Sequence, residues 1–425
     1  MKIMVIGGGG REHAVIRSLA KNSEVEKIYA LPGNAGMKAD ATLVPVGAKD
    51  IAGIVAFAKE NDIDYAVVTP DDPLVLGAVD ALNAIGVPCF GPNAAAAAIE
   101  GSKVFSKNLM KKYGIPTASY EVFDDMEAAL AYVKTAPIPT VIKADGLALG
   151  KGVIIATTRE EAENAVRSMM QDKVFGASGD HIVIEEFLEG PEVSVLAFTD
   201  GVTMKPMVSS MDHKRAHDGD TGLNTGGMGT VAPNPYYTEE IARECMETIF
   251  LPTMHAMNAE GRTFKGCLYF GLMLTKNGPR VIEYNCRFGD PETQVVLPLL
   301  ESDLLTVMRA VTDTRLAETE VRFSRGSAAC VVVASKGYPE HYEKGFEIEI
   351  PDDVLPHVFV AGAAEKDGKT VTAGGRVLGV TATADSLKDA LALAYERTER
   401  VHFDGAFYRK DIGARALAAM KEENA

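Results

Sequence analysis

The stretch VIEYNCRFGDPETQ, residues 281–294, shows what kind of sheet this chain builds at its working surface. Successive side chains of a strand point to opposite faces. Glu283, Asn285 and Arg287 therefore share one face, and Ile282, Tyr284 and Cys286 share the other. The second face is core. The first offers a carboxylate, an amide oxygen and a guanidinium. A carboxylate and an amide oxygen two residues apart suit a Mg²⁺ ion that also takes phosphate oxygens and water. Arg287 beside them suits a phosphoryl group in transfer.

Two upstream segments strengthen a nucleotide reading. In VIEEFLEGPEVSV, residues 183–195, the backbone of Glu185, Glu186, Phe187 and Leu188 can meet an adenine edge, and Glu192 the ribose hydroxyls. In KADGLALGKGV, residues 143–153, Lys143 sits on a strand ahead of a glycine-rich turn holding Gly146, Gly150, Lys151 and Gly152. A P-loop needs four residues between its glycines and Ser or Thr after its lysine. Here three residues separate Gly146 from Gly150, Gly152 follows Lys151, and a strand follows rather than a helix. The segment reads as a hairpin able to fold over phosphates.

The N-terminus, MKIMVIGGGGREHA, is a strand, a glycine turn and a helix. It fails the dinucleotide fingerprint: Glu12 or His13 stands where the third glycine belongs, and strand two ends in Ala30-Leu31-Pro32 without a ribose acid. A dehydrogenase reading falls with it. The loop around Gly9 still offers N–H groups to an anion, and a second turn, PGNAG with Asn34, shares its edge. Strands at 2–6, 27–31, 42–46 and 65–69 alternate with helices, including one capped by Asp50, so a doubly wound parallel sheet is expected.

The long polar segment 212–229 puts Asp212 and Lys214 forward for the phosphate or acceptor end, with His213 and His217 as tempting bases or structural histidines. In the tail, Lys369 and Arg376 flank a glycine turn, a pattern suited to a sugar phosphate. A formal charge of −16 argues against a nucleic-acid partner. No apolar stretch is long enough to span a membrane, and the first residues are a strand rather than a secretory signal. The five cysteines form no CxxC pair and read as buried thiols of a reduced, cytoplasmic protein.

GGGGREHA, PGNAG, KADGLALGKGV, DHKRAHDGDTGLNTGGMG and above all RFGDPETQ resemble the glycinamide ribonucleotide synthetases, members of the ATP-grasp superfamily. The likeness runs from Met1 to the FYRKDIG at 407–413. It implies an α/β chain, α+β in its later parts: a doubly wound substrate domain (1–103), a linker helix and lid (104–190), a central ATP-grasp domain (191–326) and a mixed C-terminal domain (327–425). It implies ATP-dependent ligation of glycine to 5-phosphoribosylamine through glycyl phosphate, assisted by Mg²⁺ or Mn²⁺, by a monomer or weak homodimer. Lys103, Lys143, Glu185, Leu188 and Glu192 fall at its nucleotide positions, Glu283 and Asn285 at its metal positions. Arg11 and Glu12 fall at its ribonucleotide positions, and Asp290 where related enzymes meet the amine. Two departures stand out. Asp71 takes the place of a usual glutamate near the sugar, and Gly271 occupies the position, twelve residues before Glu283, where many ATP-grasp enzymes carry a metal carboxylate.

Rival readings are a carboxylating ATP-grasp enzyme on a purine ribonucleotide, which RFGDPETQ opposes, and a nucleotide-sensing paralogue. The paralogue should have lost Glu283, Asn285 or Arg287, and all three are present.

Overall fold

The computed structural model describes residues 1–147 and 152–422. Gly150 and Lys151, expected at the phosphates, lie outside the described residues. The chain opens with strands β1 (Lys2–Gly7), β2 (Lys27–Pro32), β3 (Thr42–Leu43), β4 (Tyr65–Val68) and β5 (Cys89–Phe90). They form a parallel sheet in the order β3-β2-β1-β4-β5. Ile3, Met4, Val5 and Ile6 are all fully buried, as a strand covered by helices on both faces requires. The strand expected over 42–46 is shorter, because only Tyr29 and Ala30 of β2 are opposite it. Asp50 caps the helix Ile51–Glu60 by accepting from Gly53 N at 2.9 Å.

The alanine run forms the helix Ala94–Gly101, capped by Asn93, and Ser102 restarts the chain as Lys103–Tyr113. Next come β6 (Tyr120–Phe123), β7 (Thr140–Ala144), β8 (Val153–Ala156) and β9 (Ile182–Glu186), ordered β6-β9-β7-β8. Strands β7 and β8 are antiparallel, so the glycine-rich segment does connect a hairpin. The helices Met126–Val133 and Arg159–Met170 cover this sheet with a core of its own, including Leu130, Val133, Ile142 and Val166.

The central sheet, β11-β10-β16-β17, uses β10 (Glu192–Thr199), β11 (Met204–Pro206), β16 (Gly266–Thr275) and β17 (Gly278–Asn285). Between them run β12 (Met211–Asp212), β13 (Arg215–His217), β14 (Thr221–Asn224) and β15 (Gly229–Ala232). The last sheet adds β18 (Ser327–Ser335), β19 (Val358–Val360), β22 (Arg376–Ala384) and β23 (Ala406–Phe407), with β20 (Ala363–Lys366) and β21 (Lys369–Thr372) as a separate hairpin. Its order, β12-β15-β18-β22-β19, crosses the boundary expected at 326. Segments 211–212 and 229–232 pair into it, so the polar loop 212–229 hangs from the C-terminal sheet while facing the central one. All five cysteines are free and buried.

Candidate active site

A cavity of about 790 Å³ opens between the lid sheet and the central sheet, and the other two sheets close its far end. The strand-order reversal in the first sheet falls between β1 and β4. Ligands of doubly wound sheets lie outside such a reversal. Arg11, after β1, and Asp71, after β4, line the cavity there. Asn34 follows β2, on the wrong side of the reversal, and corrects the expectation: its amide donates to Gly8 O (2.9 Å) and Val360 O (2.8 Å) and its oxygen accepts from Gly36 N (2.8 Å). Glu12 is also structural. Its carboxylate accepts from Gly9 N (2.6 Å) and Arg11 Nε (2.6 Å), and it is 2% exposed. It thereby aims Arg11, whose other branch donates to Phe288 O. Gly9 sits at the rim, where an added Cβ would lie 3.3 Å from Asp290 Oδ2.

The lid end is built around one carboxylate. Glu185 Oε2 stands 3.1 Å from both Lys107 Nζ and Lys143 Nζ, and all three are nearly inaccessible. Among the described residues Glu185 Oε1 is buried without a partner. Burial lowers the Lys107 ammonium to about 8, with Glu185 working against it. Lys107 escaped the sequence reading, although it lies one helical turn beyond Lys103 on the same face. Lys103 donates to Gly146 O at 2.7 Å, and Lys143 to Ile282 O at 3.0 Å. Gly152, Glu186, Phe187 and Leu188 complete this end.

On β17, Glu283, Asn285 and the following Arg287 do share the cavity face, but Ile282, expected in the core, lines the cavity too, because a register shift between Val281 and Glu283 breaks the alternation. Burial by itself would raise the Glu283 carboxyl, but Lys214, Lys143, Lys103 and Arg287 outweigh it and hold it below its ordinary value. Lys214 Nζ lies 3.1 Å from Glu192 and 3.9 Å from Glu283. Arg287 is oriented by Glu100, at 3.2 Å, and donates to Asn285 Oδ1 at 3.0 Å. Glu100 ends the alanine helix and also accepts from Cys286 N; nothing in its local sequence marks it. Gly271 lies directly opposite Glu283 in the ladder, so no second carboxylate stands there. Among the described residues no group of three or more His, Cys, Asp or Glu side chains could hold a metal. Glu283 and Asn285 fit a Mg²⁺-type ion only as a two-oxygen site whose other ligands are phosphate oxygens and water.

The opposite end is acidic. Glu292 is 4% exposed and, among the described residues, accepts only from Ser194 Oγ at 3.3 Å, which itself contacts Tyr269 Oη. Asp212 accepts from His213 N at 2.7 Å. Among the described residues neither carboxylate has a cation within 4.0 Å, because Lys214 is turned to Glu192 and Arg376 to Asp290 (3.4 Å). Burial and the Glu292 charge push the Asp212 carboxyl well above its ordinary value. Asp290 is held low instead, because Arg376 and Arg11 outweigh its burial. Glu292 lies two residues beyond Asp290, a spacing that was legible but passed over.

Arg376 lines the cavity and donates to Asp290 O and Gly226 O. Lys369 does not. It is exposed on the β20–β21 hairpin, 2.6 Å from Glu347, so the expected basic pair is divided by the turn that joins it. His213 is no base either. Nδ1 faces Gly229 O at 3.0 Å and Nε2 receives Gly413 N–H at 3.1 Å, which requires the neutral Nδ1–H ring. His217 is an exposed strand residue against Phe407.

Two sheets closing on a lysine-lined nucleotide cleft, with a Glu–Asn strand face beneath, define an ATP-grasp protein. A biotin carboxylase from Campylobacter jejuni shares this fold at a TM-score of 0.74 and 15% identity, covering 96% of this chain and 92% of that one. The chain belongs to the phosphoribosylglycinamide synthetase family: models of its N domain, ATP-grasp (A) domain and C domain match residues 1–100, 101–293 and 328–415. It is 47% identical to a phosphoribosylamine–glycine ligase of Caldanaerobacter subterraneus, over 97% of this chain and all of that one. The crystal structure of a phosphoribosylamine–glycine ligase from Thermotoga maritima superposes with a TM-score of 0.85 at 37% identity, covering 97% of this chain and all of that one.

Proposed function

We propose that the chain ligates glycine to 5-phosphoribosylamine at the expense of ATP, giving glycinamide ribonucleotide, ADP and phosphate, in purine biosynthesis. The observation that carries this reading is the polarity of the cleft: cations around Glu283 at one end, and at the other the Asp212–Glu292 carboxylates, with no cation within 4.0 Å among the described residues. Glycine is a zwitterion. Its ammonium suits Asp212 and Glu292, which leaves its carboxylate toward Lys214 and the phosphates. Adenine lies against 185–188, with the unpartnered Glu185 Oε1 as acceptor for its amino group and Glu192 for the ribose. Arg11, Asp71, Asp290 and Arg376 face the ribosylamine phosphate and amine.

A glycine carboxylate oxygen attacks the γ-phosphorus, and the bond to ADP breaks, leaving glycyl phosphate. The ribosylamine nitrogen then attacks the carbonyl carbon. The carbon–oxygen bond to phosphate breaks, and the departing phosphate can carry off the nitrogen's proton. Activation resides in the mixed anhydride, so no side-chain nucleophile is required. Lys143, Lys214 and Arg287 position and stabilise the moving phosphoryl charge. A Mg²⁺ or Mn²⁺ held by Glu283 and Asn285 would neutralise phosphate charge during that transfer. Asp290 is placed to orient the amine. Lid closure excludes water, which would hydrolyse the anhydride.

We place the protein in the cytoplasm, acting as a monomer or weak homodimer. Its free, buried thiols support the reduced compartment, with Cys89 and Cys330 pushed up to about 12 by burial. Among the described residues no helix is long and apolar enough to cross a membrane. The reading is tested by ADP release with freshly generated phosphoribosylamine. Release should require glycine. Equal release with bicarbonate in its place would turn the assignment to a carboxylating enzyme.

A further inference from the structure

The hairpin β13–β14 carries the cleft wall between Asp212 and Gly227 but belongs to no larger sheet. Thr221–Asn224 is exposed throughout. A lone two-stranded hairpin is marginally stable in water, so something else must hold it. The chain near its C-terminus does. Arg409 is 2% exposed, and its guanidinium spreads over three partners: Asp411 (Nε and Nη2, both 2.8 Å), Asp220 Oδ1 (2.9 Å) and Arg215 O (3.1 Å). Around it, Asp411 Oδ2 accepts from Gly219 N at 2.9 Å and Asp218 Oδ1 from Lys410 N at 2.8 Å. Tyr395 Oη donates to Arg409 O and accepts from Ile412 N, which fixes the backbone behind the guanidinium. Arg409 does not reach the cavity, whereas Asp212 and Lys214, immediately before the hairpin, do.

We propose that Arg409 is a positioning residue that clamps the β13–β14 hairpin and thereby sets Asp212 at the acceptor end of the cleft. The part of this that concerns glycine rests on the ligase reading above. Only a planar fork can serve two carboxylates and a carbonyl together, since a lysine ammonium is a single point charge. Arg409 itself lies outside the cavity, so replacing it frees the hairpin, whose Arg215 and Asp220 line the cleft, without removing a cavity-lining group. A small displacement of groups that orient a reactant is enough to cost activity strongly.

The test compares full-length Arg409→Lys, Arg409→Ala and Asp411→Asn with the parent chain in two measurements. Amide hydrogen exchange should quicken over 215–224 in all three and stay unchanged in β16. The glycine KM should rise by about tenfold or more in Arg409→Ala and less in the other two, while the ATP KM changes by less than about threefold. A merely structural role would lower the active fraction and leave both KM values alone. If Arg409→Ala does not fold, Arg409→Lys and Asp411→Asn decide. Unchanged hairpin exchange, or glycine and ATP KM values that stay put or rise together, would overturn the proposal. If the parent chain releases no ADP in response to glycine, the ligase reading fails, and the exchange comparison still decides whether Arg409 clamps the hairpin.

Discussion

Lys214 Nζ stands 3.1 Å from the Glu192 carboxylate and 3.9 Å from that of Glu283, so one ammonium spans the two carboxylates proposed for the ribose and the metal. Glu192 raises the Lys214 ammonium well above its ordinary value, against the effect of burial. On the proposed function, Glu192 turns from this lysine to the ribose when a nucleotide enters. Glu192→Ala should therefore raise the ATP KM by about 10–150-fold, the equivalent of ~1.5–3 kcal/mol for a hydrogen bond to a charged group, and leave the glycine KM nearly unchanged. Steady-state kinetics with each substrate varied checks this, and an unaltered ATP KM would move the ribose elsewhere.

Glu283→Gln keeps the shape of the side chain but removes the only carboxylate of the Glu283–Asn285 pair. Turnover should fall at least ~100-fold, a loss typical of disturbed electrostatic stabilisation. Titration with Mg²⁺ and Mn²⁺ provides the check: near-normal turnover at saturating metal would refute the assignment.

Glu292→Gln should raise the glycine KM by about tenfold or more, since a buried charge-assisted contact is worth ~1.5–3 kcal/mol. ATP binding, measured calorimetrically, should be unaffected. A glycine KM equal to the parent's would show that the ammonium is held away from the acidic end.

Arg11→Ala and Arg376→Ala should each weaken glycinamide ribonucleotide binding by roughly 10–150-fold. Lys369→Ala should bind it like the parent, because Lys369 is spent on Glu347 outside the cavity. Product titration separates the three without the unstable ribosylamine. Loss of ATP binding in Arg11→Ala, with product binding intact, would assign the glycine loop to the nucleotide.

His213 has its ring lowered to about 4 by burial, against an ordinary value of 6.5. Between these values the unfolded chain binds the extra proton, so stability is fully present above pH 6.5 and is lost as the pH falls toward 4. The contribution at pH 5 should be smaller than at pH 7.5 by about 2 kcal/mol. Denaturant unfolding of the parent and His213→Gln at both pH values tests it: the gap between them should narrow in acid. A constant gap would mean that the ring titrates alike in the folded and unfolded chain.

Residues whose role follows from local periodicity were legible. The Glu283–Asn285–Arg287 face follows from strand alternation, the β7–β8 hairpin from a glycine turn between two apolar runs, and the Asp50 cap from its place before a helical pattern. Roles that depend on what faces a residue across the fold were not. Glu12 and Asn34 look like ligand contacts in a glycine loop, yet Gly9 N–H and Arg11 take the Glu12 carboxylate and Gly36 N–H takes the Asn34 oxygen. Lys369 and Arg376 are close in sequence, but the first lies exposed on the separate β20–β21 hairpin and the second opens β22 of the C-terminal sheet and lines the cleft.

By itself the sequence determined the strand-turn-helix opening, the half-buried strand at 278–285 and the family whose motifs it carries, because these depend on short-range spacing. Only the tertiary structure decided that Lys107 and Lys143 share Glu185, that Glu100 steers Arg287, and that Arg409 holds a hairpin almost two hundred positions earlier. Each of these joins charges far apart in the chain. A buried charge needs a partner, but nothing in its own neighbourhood says which one the fold will bring.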